Sequence, residues 1–199
     1  MKDEIKRLAI RLFTLKGYRG VSFGDLTDEL GTTRANIHYH FGSKSGLAEA
    51  VLEAAASDVL SIYKAIWTNQ KISLKKKLER SYMFNSERYG EYNADGEGII
   101  WSLITRFRID RDVITSRMVS HLNTITLQNE DFVTQGVQIA VNQGELREDA
   151  PVEEISCLIS NVLHFAPLIS QAPHDLRRLK QTYESLGNLI EKSYAAKVE

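Results

Sequence analysis

The chain has 199 residues, of which 43% are hydrophobic and 26% charged, and its formal net charge is −1. No apolar run approaches the roughly 20 residues that a membrane-spanning helix requires, and the polar start Met1-Lys2-Asp3-Glu4 is unlike a secretory signal. A single cysteine, Cys157, excludes an internal disulfide framework, so we expect a cytoplasmic protein that does not enter the membrane.

Apolar residues spaced three and four apart predict helices throughout the chain, which has only three prolines. The first predicted helix ends at Gly17 and has one apolar stripe, formed by Ile5, Leu8, Ala9, Leu12 and Phe13. Ser22 and Asp25 resemble a capping box that opens a short second helix. Gly31 ends that helix, because a tight turn there favours a residue that tolerates positive φ.

Thr33 can cap a third short helix that runs to about Tyr39, and a long fourth helix starts near Lys44. The coarser pattern beyond it predicts helices over about 72–90, 99–107 and 110–143.

A polar loop is expected over Glu91–Gly98, and two last helices follow Pro151 and Pro173. Pro167 should kink or shorten the first of these two. The expected fold is therefore all-α, with about nine helices.

The second and third predicted helices, 23–30 and 33–39, are joined by a short turn containing Gly31, which is the pattern of a helix-turn-helix. The later helix has one large aliphatic residue, Ile37, and is otherwise small, polar or aromatic. Such a composition suits a helix that enters the major groove of DNA better than one that faces a core.

The chemistry of this helix suggests individual contacts. Arg34 can pair with guanine and Asn36 with adenine, while Thr33 can contact phosphate or thymine. Lys44 stands at the start of the fourth helix, where its ammonium group and the N-terminal amides could meet a phosphate together.

The run from Ser22 to Lys44 resembles the DNA-binding domain of TetR-family regulators. Its end, Tyr39-His40-Phe41-x-x-Lys44 followed by Leu47, is specific to that family among helix-turn-helix proteins. Phe13-x-x-x-Gly17-Tyr18 also matches, and the similarity covers about residues 4–52. His38 departs from the family, which more often has tyrosine at this position.

The resemblance implies an N-terminal DNA-binding domain over residues 1–45 and a ligand-binding and dimerisation domain over 46–199. The predicted DNA-binding residues are Ser22, Thr33, Arg34, Asn36, His38, Tyr39 and Lys44. The family pattern implies a homodimer through the last two helices, whose wide apolar stripes include Ile155, Ile159, Leu163, Leu179 and Leu186.

Bulky aromatic residues stand at helical spacing in the central region, where the resemblance implies an effector pocket. The predicted effector contacts are Trp67, Trp101, Arg106 and His121. A cationic Arg106 suggests a ligand with an anionic or carbonyl group.

Metal binding and catalysis have little support in the sequence. His38 and His40 point about 200° apart on a helix, so they cannot share an ion. The loop that begins at Glu91 has the wrong residues at the first and twelfth positions of a calcium loop. No nucleophile motif or phosphate-binding glycine loop occurs, so we expect no enzymatic activity, no cofactor and no metal.

The favoured interpretation is a ligand-responsive repressor that binds a palindromic DNA operator as a homodimer. Two alternatives remain open. One is a small-molecule binding protein or enzyme with a vestigial N-terminal domain, which would not bind DNA at low salt. The other is an architectural DNA-binding protein, which would have a packed central domain and no effector.

Overall fold

The computed structural model describes residues 1–94, 99–170 and 176–196, and these residues form nine helices and no strand. The all-α prediction is therefore confirmed. The helices are α1 (Lys2–Lys16), α2 (Phe23–Leu30), α3 (Arg34–Phe41), α4 (Lys44–Trp67), α5 (Leu74–Tyr92), α6 (Leu103–Ile109), α7 (Ser116–Asn142), α8 (Val152–Ile169) and α9 (Arg177–Tyr194).

Helix boundaries in the central region differ from the predicted ones because capping residues set them. Helix α6 begins at Leu103 rather than near 99, since the Ser102 hydroxyl accepts a hydrogen bond from the Thr105 amide. Helix α7 begins at Ser116 rather than near 110, and the Thr115 hydroxyl accepts from the Met118 amide.

The predicted loop after α5 lies partly within the helix, because α5 continues to Tyr92. Residues 95–98 of that loop, and Pro173, lie outside the described residues. Helix α8 follows Pro151 directly and continues through Pro167 to Ile169, so the proline does not shorten it.

The chain divides into two compact units. The first comprises Met1–Val59 and Ile100–Ile125, and the second comprises Leu60–Ile99 and Thr126–Glu199. Helices α4 and α7 each contribute to both units. The functional boundary predicted at residue 45 stays a prediction.

In the first unit, α6 is attached to the C-terminal end of α1. The Phe13 ring lies 5.5 Å from that of Phe107, and the Tyr18 amide donates to the Asp110 carboxylate at 2.6 Å. Gly17 has a φ of 71° and lies so close to this carboxylate that an added Cβ would stand 2.8 Å from an Asp110 oxygen. The chain turns here without a side chain because a side chain would collide with the carboxylate of Asp110, the residue that follows α6.

In the second unit, α5 buries a polar face. Lys77 is fully buried, and its ammonium donates to the carbonyl oxygens of Trp67 and Asn69 at 2.8 and 2.6 Å. Tyr63 donates to the Asn85 side-chain oxygen at 3.1 Å, and the Asn85 amide donates to the Tyr183 hydroxyl at 2.7 Å. Buried polar groups require hydrogen-bond partners. Here those partners lie on different helices, so the bonds connect α4, α5 and α9.

Helix α8 is the one helix among the described residues that is long and apolar enough, by length and composition, to cross a membrane. No such segment is predicted from the sequence. The helix is apolar enough because apolar residues occupy more than one of its faces. One face packs in the second unit through Ile155, Ile159 and Leu163, while Leu158 and Phe165 remain more than half exposed.

Candidate nucleic-acid interface

The entry to α2 is fixed by a capping box, as predicted. The Ser22 hydroxyl accepts a hydrogen bond from the Asp25 amide, and the Asp25 carboxylate accepts from the Ser22 amide at 2.8 Å. Hydrogen bonds from the Ser22 hydroxyl and amide, followed by one from Lys16, hold the pKa of Asp25 well below its usual range. Leu26 is fully buried beneath this cap and anchors α2 on its core side.

The turn between α2 and α3 has the geometry of a helix-turn-helix. Gly31 ends α2 in the left-handed region, with φ of 62° and ψ of 29°. Thr33 then adopts an extended conformation, and its hydroxyl accepts from the Asn36 amide at 3.2 Å to start α3. Gly31 therefore ends α2 and Thr33 caps α3, as the sequence predicted.

Helix α3 turns one apolar residue inward and a polar surface outward. Ile37 is fully buried and is the only buried residue of this helix, whereas Tyr39 is 85% exposed. Thr33, Arg34 and His38 are also exposed. A helix attached to the domain by so narrow an apolar face leaves most of its circumference available to a partner.

Besides Ser22 and Thr33, which cap helices, three more of the predicted DNA-contacting side chains have neighbours on α2 or in the turn before α3. The Asn36 amide nitrogen donates to the Thr32 hydroxyl at 2.9 Å. The Arg34 guanidinium lies against Gly24 of α2, where an added Cβ would stand 3.3 Å from Nη2. The His38 ring lies at the edge of Phe23, with centroids 5.4 Å apart. These side chains are thereby positioned before any partner binds.

Lys44 lies beside the ring of Tyr18, a residue that is not among the predicted DNA contacts. Its ammonium is 4.6 Å from the centroid of the Tyr18 ring, a cation–π arrangement. Burial lowers the pKa of Lys44, and the nearby Asp25 carboxylate opposes that effect. Tyr18 is part of the Phe13-x-x-x-Gly17-Tyr18 motif at the end of α1. Its place in that motif is the one sequence signal for its contact with Lys44.

The four predicted effector contacts are divided between the two units. Trp67 is fully buried in the second unit, whereas Trp101, Arg106 and His121 belong to the first. The Arg106 Nε donates to the Thr14 carbonyl at 3.1 Å, so this guanidinium joins α6 to α1.

Trp101 is 3% exposed and lies just before α6. His121 lines a small cleft of about 250 Å³ together with Glu49, Glu53 and Arg117. The effector contacts stay predictions, and Arg106 has a structural partner that the sequence could not reveal.

Four of the five predicted dimer-interface residues lie in the core of their own chain. Ile155, Ile159, Leu163 and Leu179 are between 0 and 5% exposed, and only Leu186 is partly accessible. Their place in a dimer interface stays a prediction, because periodicity marks an apolar stripe without saying which neighbour covers it. The exposed apolar residues on the same two helices are Leu158, Phe165 and Leu189, at 56, 53 and 63%.

Within residues 1–94, 99–170 and 176–196, no three His, Cys, Asp or Glu side chains are grouped so that they could hold a metal ion. His40 lies between two aromatic neighbours, Tyr39 and Phe41, with ring centroids 5.2 and 6.1 Å away.

Comparison with known proteins gives matches at both the sequence and the fold level. Residues 5–51 match the family model described as "Bacterial regulatory proteins, tetR family". The HTH-type transcriptional repressor AcnR of Corynebacterium glutamicum is 24% identical over 162 residues, which are 81% of this chain and 77% of the relative. The HTH-type transcriptional regulator QacR of Staphylococcus aureus is 27% identical over 85 residues, 43% of each chain. The biofilm operon icaADBC negative transcriptional regulator IcaR of Staphylococcus aureus is 41% identical over 49 residues, 25% of this chain and 26% of the relative.

Solved structures extend the likeness over the whole chain. A TetR-family transcriptional regulator from Cytophaga hutchinsonii has a TM-score of 0.78 at 22% identity, covering 99% of this chain and 96% of that one. The regulatory protein TetR from Rhodobacter sphaeroides has the same TM-score at 13% identity, covering 97% of this chain and 98% of that one. At these identities the likeness concerns the fold.

Proposed function

We propose that this chain is a transcriptional repressor of the TetR family, the family whose model matches residues 5–51. It acts as a homodimer in the cytoplasm, binds a palindromic DNA operator and releases it when a small-molecule effector binds. Two of its relatives are named as a repressor and a negative regulator, which supports the sign of the regulation.

The observation that carries the proposal is the outward surface of α3. A single buried residue, Ile37, attaches this helix, and the remaining surface presents Arg34, His38 and Tyr39. Hydrogen-bonding and aromatic side chains on a short exposed helix, preceded by a helix and a tight turn, suit insertion into the major groove. DNA binding is proposed for residues 1–45.

The contacts divide by chemistry into two classes. We assign Arg34 and Asn36 to base edges, because guanidinium and carboxamide groups form paired hydrogen bonds with guanine and adenine. Lys44 and Tyr39 are assigned to phosphates, with Ser22, Thr33 and His38 completing the surface. Phosphate contacts set affinity and its salt dependence, whereas base contacts set sequence preference.

The dimer is assigned to a surface of α8 and α9 whose large apolar side chains are exposed in the described part of the chain. Leu158 and Phe165 are seven residues apart on α8 and therefore share a face, and Leu189 is exposed on α9. Large exposed apolar residues on a helix whose opposite face is already buried indicate a partner surface. A twofold dimer would place recognition helices at half-sites roughly 34–36 Å apart.

The assignment of roles can be tested by titrating labelled DNA with the Lys44→Ala and Arg34→Ala variants over a range of salt concentrations. Each phosphate contact contributes about 0.9 to the slope of log affinity against log salt, so losing Lys44 from both subunits should reduce the slope by about two. Arg34→Ala should weaken binding to the preferred site by ~1–3 kcal/mol for each contact while relaxing base preference.

Lys64→Ala is the matched control, because Lys64 is an exposed lysine on the same helix as Lys44 but belongs to the second unit. It should leave both slope and preference unchanged. Failure of the wild-type chain to bind any DNA at low salt would overturn the proposal and favour a ligand-binding protein with a vestigial N-terminal domain. A Lys44→Ala variant with altered preference and an unchanged slope would overturn the division of roles.

A further inference from the structure

We propose that the groove between α5 and α9 in the second unit is a binding site for a neutral, largely apolar small molecule. The groove is open to solvent on one side and has a volume of about 550 Å³, which lies within the usual range for small-molecule sites, roughly 300–1,000 Å³. Its apolar and aromatic walls are Leu78, Tyr82 and Met83 from α5 and Tyr183 from α9.

The shape of the groove depends on a glycine. Gly187 lies on α9 opposite Leu78, and an added Cβ would stand 3.3 Å from the Leu78 Cδ1 atom. A larger residue at this position would press on Leu78 and fill part of the groove. The Tyr82 and Tyr183 rings meet edge to face with centroids 6.0 Å apart, which gives the groove an aromatic wall.

The charges around the groove favour a neutral ligand. Four charged side chains line it, and each already has a partner of opposite charge. The pairs are Lys75 with Glu191 at 3.2 Å, Glu79 with Lys76 at 2.8 Å, and Lys180 with Glu184 at 3.7 Å. An ionic ligand would have to compete with these pairs, whereas a neutral one needs only the apolar walls and the Asn188 amide at the edge.

The groove shares a side chain with the buried network of the second unit. Tyr183 contributes to its wall, and the Tyr183 hydroxyl accepts from Asn85, which in turn accepts from Tyr63 of α4. A ligand packed on Tyr183 therefore contacts the residue through which α9 is bonded to α5 and α4. A regulatory effect of such a ligand would rest on the proposed function, whereas binding itself does not.

The test is a fluorescence titration of the full chain with Nile red, a neutral planar dye, in the wild type and in two variants. Met83→Glu places a carboxylate on the groove wall, and Met83 is 49% exposed, so the folded state should tolerate the change. Leu127→Glu is the matched control, an exposed apolar residue of α7 in the same unit that does not line the groove.

We expect saturable binding of one dye per subunit, at least about tenfold weaker in Met83→Glu because the dye would desolvate the new carboxylate, and unchanged in Leu127→Glu. Equal affinity in both variants, or no saturable binding by the wild type, would overturn the proposal. Sedimentation of the variants provides a second readout. A Met83→Glu chain that changes its oligomeric state would identify the groove as a subunit interface and overturn the ligand assignment. Loss of DNA binding by an otherwise dye-binding chain would affect only the proposed function.

Discussion

The most demanding prediction concerns Asn85, which stands at the centre of the buried network between α4, α5 and α9. Its side chain is 2% exposed, accepts from the Tyr63 hydroxyl at 3.1 Å and donates to the Tyr183 hydroxyl at 2.7 Å. Asn85→Leu would keep a side chain of similar size and remove both hydrogen bonds. Two phenol hydroxyls would then remain buried without this partner.

The magnitude follows from those two groups. Leaving one buried polar group unsatisfied costs ~1–3 kcal/mol, so the single substitution should lower the free energy of unfolding by roughly 2–6 kcal/mol. Converting Tyr63 and Tyr183 to phenylalanine in the same chain removes the groups that were left unsatisfied. The triple variant should therefore recover a large part of the loss, although it contains more changes.

The assay is urea unfolding followed by circular dichroism, at one fixed protomer concentration because association would contribute to the apparent stability. Asn123→Leu is the control, since Asn123 is an exposed asparagine on α7. It should change stability by less than about 0.5 kcal/mol. The reasoning would be refuted if Asn85→Leu matched this control, or if the triple variant were less stable than the single one.

The remaining predictions concern packing, capping and pH. Gly136→Ala would place a Cβ 2.7 Å from a ring carbon of Trp67 and should lower the free energy of unfolding, measured by denaturation, by ~1–3 kcal/mol. Gly90→Ala has open space around the new Cβ and should raise the free energy of unfolding by ~0.5–1 kcal/mol. Equal effects of the two substitutions would contradict the packing of α7 on α4. Ser22→Ala removes the cap of α2 and should lower the free energy of unfolding by about 1 kcal/mol. An unchanged stability would show that the cap does not form. Burial raises the pKa of both phenols of the Asn85 network above the ordinary value of 10.0. Their contribution to stability is therefore complete below about pH 10 and is lost as pH rises further, and an alkaline titration of the double phenylalanine variant should show a shallower decline than the wild type.

Local rules were sufficient to predict the helix-turn-helix. The Ser22 capping box, the left-handed Gly31 and the Thr33 cap each depend on residues no more than a few positions apart, so the sequence alone specifies them. The same rules misplaced the start of α6. Apolar residues before Ser102 extended the helical pattern, but Ile100 and Trp101 are buried as irregular backbone ahead of the cap.

Tertiary partners could not be predicted from periodicity. A cation among aromatic residues predicts an effector contact at Arg106, but it does not reveal the hydrogen bond from Arg106 to the Thr14 carbonyl, 92 residues away in the chain. The stripes of α8 and α9 predict a dimer interface, but they do not reveal that Ile159 and Leu179 are fully buried within their own chain. A helical repeat shows that a face is covered and does not show by which element.

The Tyr63–Asn85–Tyr183 network was also beyond the reach of local patterns. Tyr63 and Asn85 are 22 residues apart in the chain, and Asn85 and Tyr183 are 98 apart. Both residue types occur on surfaces as well as in cores. Only the folded arrangement of α4, α5 and α9 brings them together.

In the proposed dimer, two copies of the outward surface of α3 bind DNA as a twofold pair. Selection of bound sequences from a random DNA library, followed by sequencing, tests it most directly. We expect enrichment of a site with dyad symmetry, its half-site centres roughly 34–36 Å apart or slightly more, and loss of that enrichment in the Arg34→Ala, Asn36→Ala double variant. Enriched sequences without a dyad, or the same enrichment in the double variant, would contradict it.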